Sequence, residues 1–133
     1  MADPALPAII KTKTLIRGDT RSWPEVFEQN TGTDAAPVWV PLDVSGYTFL
    51  MEIREDLNRG TLIATWDIDM TDAATGTIVV TLPSDQADLL PGQSSAATRP
   101  VVYCDLQGTR TSDGFRRTFK RWQFKVEGDS SNE

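Results

Sequence analysis

Apolar and polar residues alternate with a period of two along most of the chain, the spacing of a half-buried strand. IIKTKTLIRG (9–18) sets β-branched residues between lysines and predicts a first strand. SWPEVFEQN (22–30) predicts a second, and Pro24, which has no N–H to give a ladder, puts it at a sheet edge or a strand start. TGTDAAP (31–37) has loop composition, and VWVPLDVSG (38–46) gives a brief strand and a turn. In YTFLMEIRE (47–55), Tyr47, Phe49, Met51 and Ile53 share a face. In TLIATWDIDM (61–70), Leu62, Ala64, Trp66, Ile68 and Met70 do the same in one continuous run. TDAATG (71–76) turns the chain into TIVVTL (77–82). PSDQADLLPG (83–92) predicts one short helix near 84–90, with Ser84 as cap, Asp85 in the first turn and Pro91-Gly92 as the stop. PVVYCDLQG (100–108) and FRRTFKRWQFKV (115–126) are strands joined by the turn TRTSDG.

Seven or eight short strands at regular spacing predict an all-β protein, either a sandwich or a barrel, and the fold expected here is a single antiparallel, immunoglobulin-like β-sandwich. The expected organisation is an extended proline-containing arm (1–8), the sandwich (9–127) and a polar tail (128–133). A length of 133 residues suits one core, and 39% hydrophobic with 24% charged residues is a globular composition.

Charge and chemistry then narrow the function. The net charge of −6 argues against binding nucleic acid through a positive surface. No apolar run reaches the roughly 20 residues of a membrane span, and the N-terminal segment lacks the layout of a signal peptide, so assembly in a cytoplasm is expected. A single cysteine, Cys104, rules out an intrachain disulfide and reads as a small core residue. The chain has no histidine, which removes the commonest general base and metal ligand. DIDMTDAATG (67–76) fails as a calcium loop: counted from Asp67, position six is Asp72 and position twelve is Ile78, not Gly and Glu. Glu25, Glu28, Glu52, Asp85 and Asp88 are scattered and read as surface acids. No catalytic, cofactor or metal residue is assigned, and no enzyme is expected.

The last strand is the richest stretch. Arg110, Arg116, Arg117, Lys120, Arg121 and Lys125 place six of the 13 basic residues within 16 positions, interleaved with Phe115, Phe119, Trp122 and Phe124. The parity breaks: Phe115 and Phe119 share one phase, Trp122 and Phe124 the other. A bulge near Lys120-Arg121 would return them to one face; otherwise apolar groups project from both faces and one set needs a partner. Residues expected at a protein interface are Pro4, Leu6, Pro7 and Ile9 of the arm, with Phe115, Arg117, Phe119, Arg121 and Trp122.

The tripeptide Arg17-Gly18-Asp19 matches the integrin-read attachment motif, but its context is a strand ending in a turn. The expectation is Gly18 in a turn between two strands, with Asp19 bonded to backbone.

The order of landmarks is RGDT, PLDVSGYTFLMEIRE, GTLIATW, TDAATGTIVVTLPSDQADLLPG, VVYCDLQ and SDGFRRTFKRWQFKV. Over residues 9–127 it resembles the small β-sandwich module at the N-terminus of bacteriophage baseplate upper proteins and related tail-fibre proteins. Two departures stand out: Arg121-Trp122 replaces a customary glycine, and GQSSAATRPV (92–101) lengthens the approach to YCDL. The resemblance implies a non-enzymatic virion structural protein, present in several symmetric copies. It would be an adaptor in the tail or baseplate that contacts other virion proteins and neither nucleic acid nor membrane. Family members usually continue into a fibre or receptor-binding region, so this chain is expected to supply the anchoring half. The alternatives are a capsid decoration (cement) protein and, in another class, a carbohydrate-binding module with Trp23, Trp39 or Trp66 as stacking platform.

Overall fold

The computed structural model describes residues 11–56, 60–92 and 99–128. The predicted arm and all but the first residue of the predicted tail lie outside the described residues, and so do Pro4, Leu6, Pro7 and Ile9. Ten strands are described: β1 (Lys11–Ile16), β2 (Arg21–Val26), β3 (Glu28–Asn30), β4 (Trp39–Pro41), β5 (Tyr47–Arg54), β6 (Leu62–Thr65), β7 (Asp67–Asp69), β8 (Thr77–Leu82), β9 (Val101–Arg110) and β10 (Arg116–Glu127). A single helical turn, α1 (Ser84–Ala87), follows β8. Among the described residues no helix is long and apolar enough to cross a membrane.

The strands form a five-stranded sheet, β1-β10-β9-β5-β6, and a three-stranded sheet, β2-β8-β7, with β3 and β4 as a separate hairpin. With that hairpin set aside, the eight remaining strands have the order of an immunoglobulin-like sandwich: the second, fifth and sixth build one sheet and the rest the other. The all-β sandwich is therefore what the chain adopts. One pairing departs from the antiparallel rule: β1 runs parallel to β10, Lys11 beside Trp122 and Ile16 beside Glu127.

Period-two sequence becomes a two-faced sheet. Val102, Cys104, Leu106 and Gly108 of β9 point inward, as do Met51 and Ile53 of β5 and Trp122, Phe124 and Val126 of β10. Ile78, Val80 and Leu82 of β8 meet them from the smaller sheet. Among the described residues twenty buried apolar side chains make one continuous core, and at about 1.5–3 kcal/mol per large buried side chain this is what holds the two sheets together.

Four local expectations change. The run 61–70 is two strands: β6 pairs with β5, β7 pairs with β8, and the chain crosses between sheets at Trp66, whose N–H donates to the Met51 carbonyl. Trp66 stays in the core through the crossing while Leu62 is exposed. The run 22–30 likewise breaks at Phe27, leaving β2 as an edge strand, the position in a sheet where Pro24 is tolerated. The short helix begins after Pro83, so Ser84 is its first residue and makes no side-chain cap. The irregularity in β10 falls between Thr118 and Lys120, at Phe119 itself.

The β1–β2 corner contains the RGD tripeptide. Gly18 takes φ 87°, a left-handed conformation that suits glycine, and its N–H donates to the Ala87 carbonyl of α1. The Asp19 N–H donates to the Ile16 carbonyl, closing the turn. The expected backbone bond of the Asp19 carboxylate is absent among the described residues, and that side chain is exposed.

Candidate interaction surface

The β10 irregularity sets the geometry. Two residues of β10 span one step of β9, because Thr118 pairs with Gln107 and Lys120 with Leu106. The additional residue, Phe119, turns its ring inward over Gly108, 5.1 Å from Phe27 and 5.7 Å from both Tyr47 and Phe49 (ring centroids). A side chain at position 108 would occupy that space: a Cβ there would lie 2.6 Å from Phe119 Cε2.

This aromatic group floors the end of the five-stranded sheet where β9 hands over to β10. Above it stand arginines. Arg117 lies 4.7 Å from the Phe119 ring centroid and Arg110 5.4 Å from that of Phe115, both within cation–π range. Arg110 also forks onto Asp113 through two bonds, Nε to Oδ1 at 3.0 Å and Nη2 to Oδ2 at 2.8 Å. Asp113 Oδ1 accepts from the Phe115 N–H as well, which fixes the turn. The Arg110 hydrogen bond, reinforced by that backbone bond, pulls the Asp113 carboxyl from its ordinary 3.8 down to about 2. Phe115 remains 41% exposed, and Arg116 and Arg117 are exposed beside it. Exposed arginine over aromatic rings is the composition that concentrates binding energy at protein interfaces.

The structure thus brings together three of the predicted interface residues, Phe115, Arg117 and Phe119, and adds Arg110, Arg116 and Tyr47. The other two described candidates belong elsewhere. Trp122 is 1% exposed and stacks with Phe124 in the core, so it has no surface to offer a partner. Arg121 points to the outer face and clasps Asp105, Nε to Oδ1 at 2.8 Å and Nη2 to Oδ2 at 3.2 Å. That ion pair, with Glu52 directly across from Asp105 and held by Arg54 at 2.8 Å, lines a recess of about 210 Å³. The Asp105 and Glu52 carboxylates each already have a guanidinium. Among the described residues no three acidic or cysteine side chains converge as a metal site.

Sequence reading missed Glu25. It was expected at the surface, yet it is 6% exposed and faces inward from β2. Its Oε1 accepts from Lys120 Nζ and its Oε2 from the Trp23 indole N–H, so one carboxylate ties β2 to β10 across the interior. Its phase was the available signal: Trp23, Glu25 and Phe27 alternate, and a charge sharing a phase with two aromatics faces a core. Lys13 lies 4.0 Å from the Trp23 ring centroid, covering that face. Cys104 is buried as expected, and burial foremost, with the nearby Asp105 carboxylate second, pushes its thiol pKa well up. The Trp66 indole N–H is the one buried side-chain donor among the described residues without a hydrogen-bond acceptor. Trp39, on the β3–β4 hairpin, is 59% exposed. No protein-family model matches this chain, and no curated protein sequence does either.

Proposed function

We propose that this chain is a bacteriophage virion structural protein, a β-sandwich adaptor in the tail or baseplate that joins another virion component to the particle. The observation that carries the reading is the coincidence of the landmark segments with separate elements of one sandwich. GDT is the β1–β2 corner, YTFLMEIR is β5, and TIVVTL is β8. The sequence VVYCDLQ lies in β9 and RRTFKRWQFKV in β10. An adaptor needs a rigid body and an outward contact surface, and the Arg110–Phe115–Arg117 end supplies the second. Several symmetric copies per particle, assembled in the host cytoplasm, follow from the same reading.

The test is quantitative mass spectrometry of purified virions, with antibody labelling in electron micrographs. Labelling at the tail tip in an integer copy number supports the adaptor. Labelling over the head selects the cement alternative, and absence from purified particles ends the virion reading. The carbohydrate-module alternative now rests on Trp39 alone, since Trp66 is in the core and Trp23 is half-buried beneath Lys13. A glycan array without a binder removes it.

A further inference from the structure

We infer that the recess on the outer face of the five-stranded sheet binds one neutral, polyhydroxylated ring, a monosaccharide or a single unit of a glycan. Three neighbouring strands build it, and their register sets the lining. Leu50, Gln107 and Thr118 stand side by side in one row, and Glu52, Asp105 and Arg121 in the next. Arg54 and Tyr103 follow in the third. On β5 and β9 these residues alternate with core side chains, so they project from the face opposite the core.

Most of the charge in the lining is spent internally. Arg121 forks onto Asp105, and Arg54 holds Glu52 Oε1. The Arg121 side chain is only 10% exposed and that of Asp105 18%, so this pair is a fixed frame and not a solvated fringe. Asp56 lines the recess too, and two arginines against three acids leave it close to neutral. The unspent groups are of another kind. The Gln107 carboxamide, the Thr118 and Tyr103 hydroxyls and Glu52 Oε2 have no hydrogen-bond partner among the described residues. All four residues are partly buried. A carboxamide offers two donors and a carbonyl acceptor, and each hydroxyl offers both functions. Polar groups with bonds still to make, converging on one recess from three strands, are what orients a bound small molecule.

Charge and shape then select the ligand class. An anion would have to displace Asp105 or Glu52 from its guanidinium, and a cation would have to displace the guanidinium itself. A hydroxyl displaces neither, because it donates to a carboxylate and accepts from an N–H at the same point. Leu50, 46% exposed, and the Tyr103 ring add the apolar wall that the C–H face of a sugar needs. An extended peptide is a poor fit, since a sheet face offers no strand edge for main-chain bonds. The volume of about 210 Å³ is below the roughly 300–1,000 Å³ of pockets that enclose a drug-sized molecule, so it suits one ring. Trp39, on the β3–β4 hairpin, is not part of the lining, and this site is separate from any stacking on that indole. The inference does not depend on the proposed virion role.

The experiment is an amide-resolved NMR titration of the full chain with glucose, galactose, mannose and N-acetylglucosamine and, separately, with inorganic phosphate. At the efficiency of ordinary small ligands a single sugar ring should bind with a Kd on the order of 1 mM. The expected result is saturable shifts with at least one sugar, confined to the amides of 50–54, 103–107 and 118–121, and none there with phosphate. Gln107→Ala should weaken binding about three- to tenfold, as loss of one or two hydrogen bonds does. Thr118→Val should weaken it in the same direction, and Trp39→Ala should leave it unchanged. Amide dispersion equal to that of the wild type will show which variants fold. Four results overturn the inference: no saturable shift with any of the sugars, shifts that map to the Trp39 hairpin, saturation of the recess by phosphate, or wild-type affinity in folded Gln107→Ala and Thr118→Val.

Discussion

Gly108 controls whether β10 can bring Phe119 indoors, and its replacement by alanine tests that. In an open strand position Gly→Ala stabilises by about 0.5–1 kcal/mol, because glycine loses the most backbone freedom on folding. Here the added methyl would sit 2.6 Å from Phe119 Cε2, 3.0 Å from Phe49 Cε1 and 3.3 Å from Phe119 Cδ2. Carbon atoms rest about 3.5–4.0 Å apart, so the Phe119 ring must retreat by about 1 Å. Phe27, Tyr47 and Phe49 surround it, so the retreat moves it toward solvent or spreads the strands. Overpacking of this kind costs about 1–3 kcal/mol. Set against the backbone gain, Gly108→Ala should destabilise by about 0.5–2 kcal/mol net, or a few degrees in Tm. Urea unfolding followed by tryptophan fluorescence should show a lower midpoint with an unchanged slope. In a Phe119→Ala background most of the clash is gone, so the same substitution should cost about 1 kcal/mol less. A higher midpoint for Gly108→Ala, or equal costs in both backgrounds, would refute the account of the bulge.

Three further outcomes are expected. Lys120→Met should destabilise by about 3 kcal/mol, because it strands a carboxylate whose side chain is 7% exposed, whereas Glu25→Gln should cost about 1–2 kcal/mol, since a Lys120 side chain 29% exposed can reach water; equal costs in chemical denaturation would count against the inward clamp. Asp113 has a folded-state pKa depressed to about 2, so its contribution is fully present above its ordinary value and is lost as pH falls from about 4 toward 2. The Gly114 and Phe115 amide resonances should therefore shift across that window in the wild type and stay still in Asp113→Asn. Cys104 should resist thiol reagents in the native state even in mildly alkaline buffer and react only on unfolding, because burial suppresses its thiolate; rapid labelling of folded protein would contradict its place in the core.

What could be read beforehand follows a physical line. Where a strand is buried on one face for its whole length, alternation dictates its orientation: β5 and β9 show inside and outside as the sequence spells them. Alternation is blind to which sheet a strand joins, because both sheets face the same core. Trp66 therefore sits inward in either description, and the crossing between β6 and β7 leaves no trace in the 61–70 pattern. The same limit applies to Glu25, whose phase pointed inward while its charge pointed out; a lysine 95 residues away settles the conflict, and no local window contains both. In β10 the broken parity was visible, and a bulge was the right class of answer. Its position was set by Gly108 on the neighbouring strand, the one inward site of β9 with room for a ring. The candidate surface inherits that dependence. Phe115 and Arg117 are at the surface because the chain turns there, but they stand over an aromatic floor only because a glycine on β9 lets Phe119 in. An interface read from composition alone also took in Trp122 and Arg121, which share the strand's chemistry and lie beyond the bulge in the core and on the outer face. The register shift therefore separates the residues that can meet a partner from those that cannot.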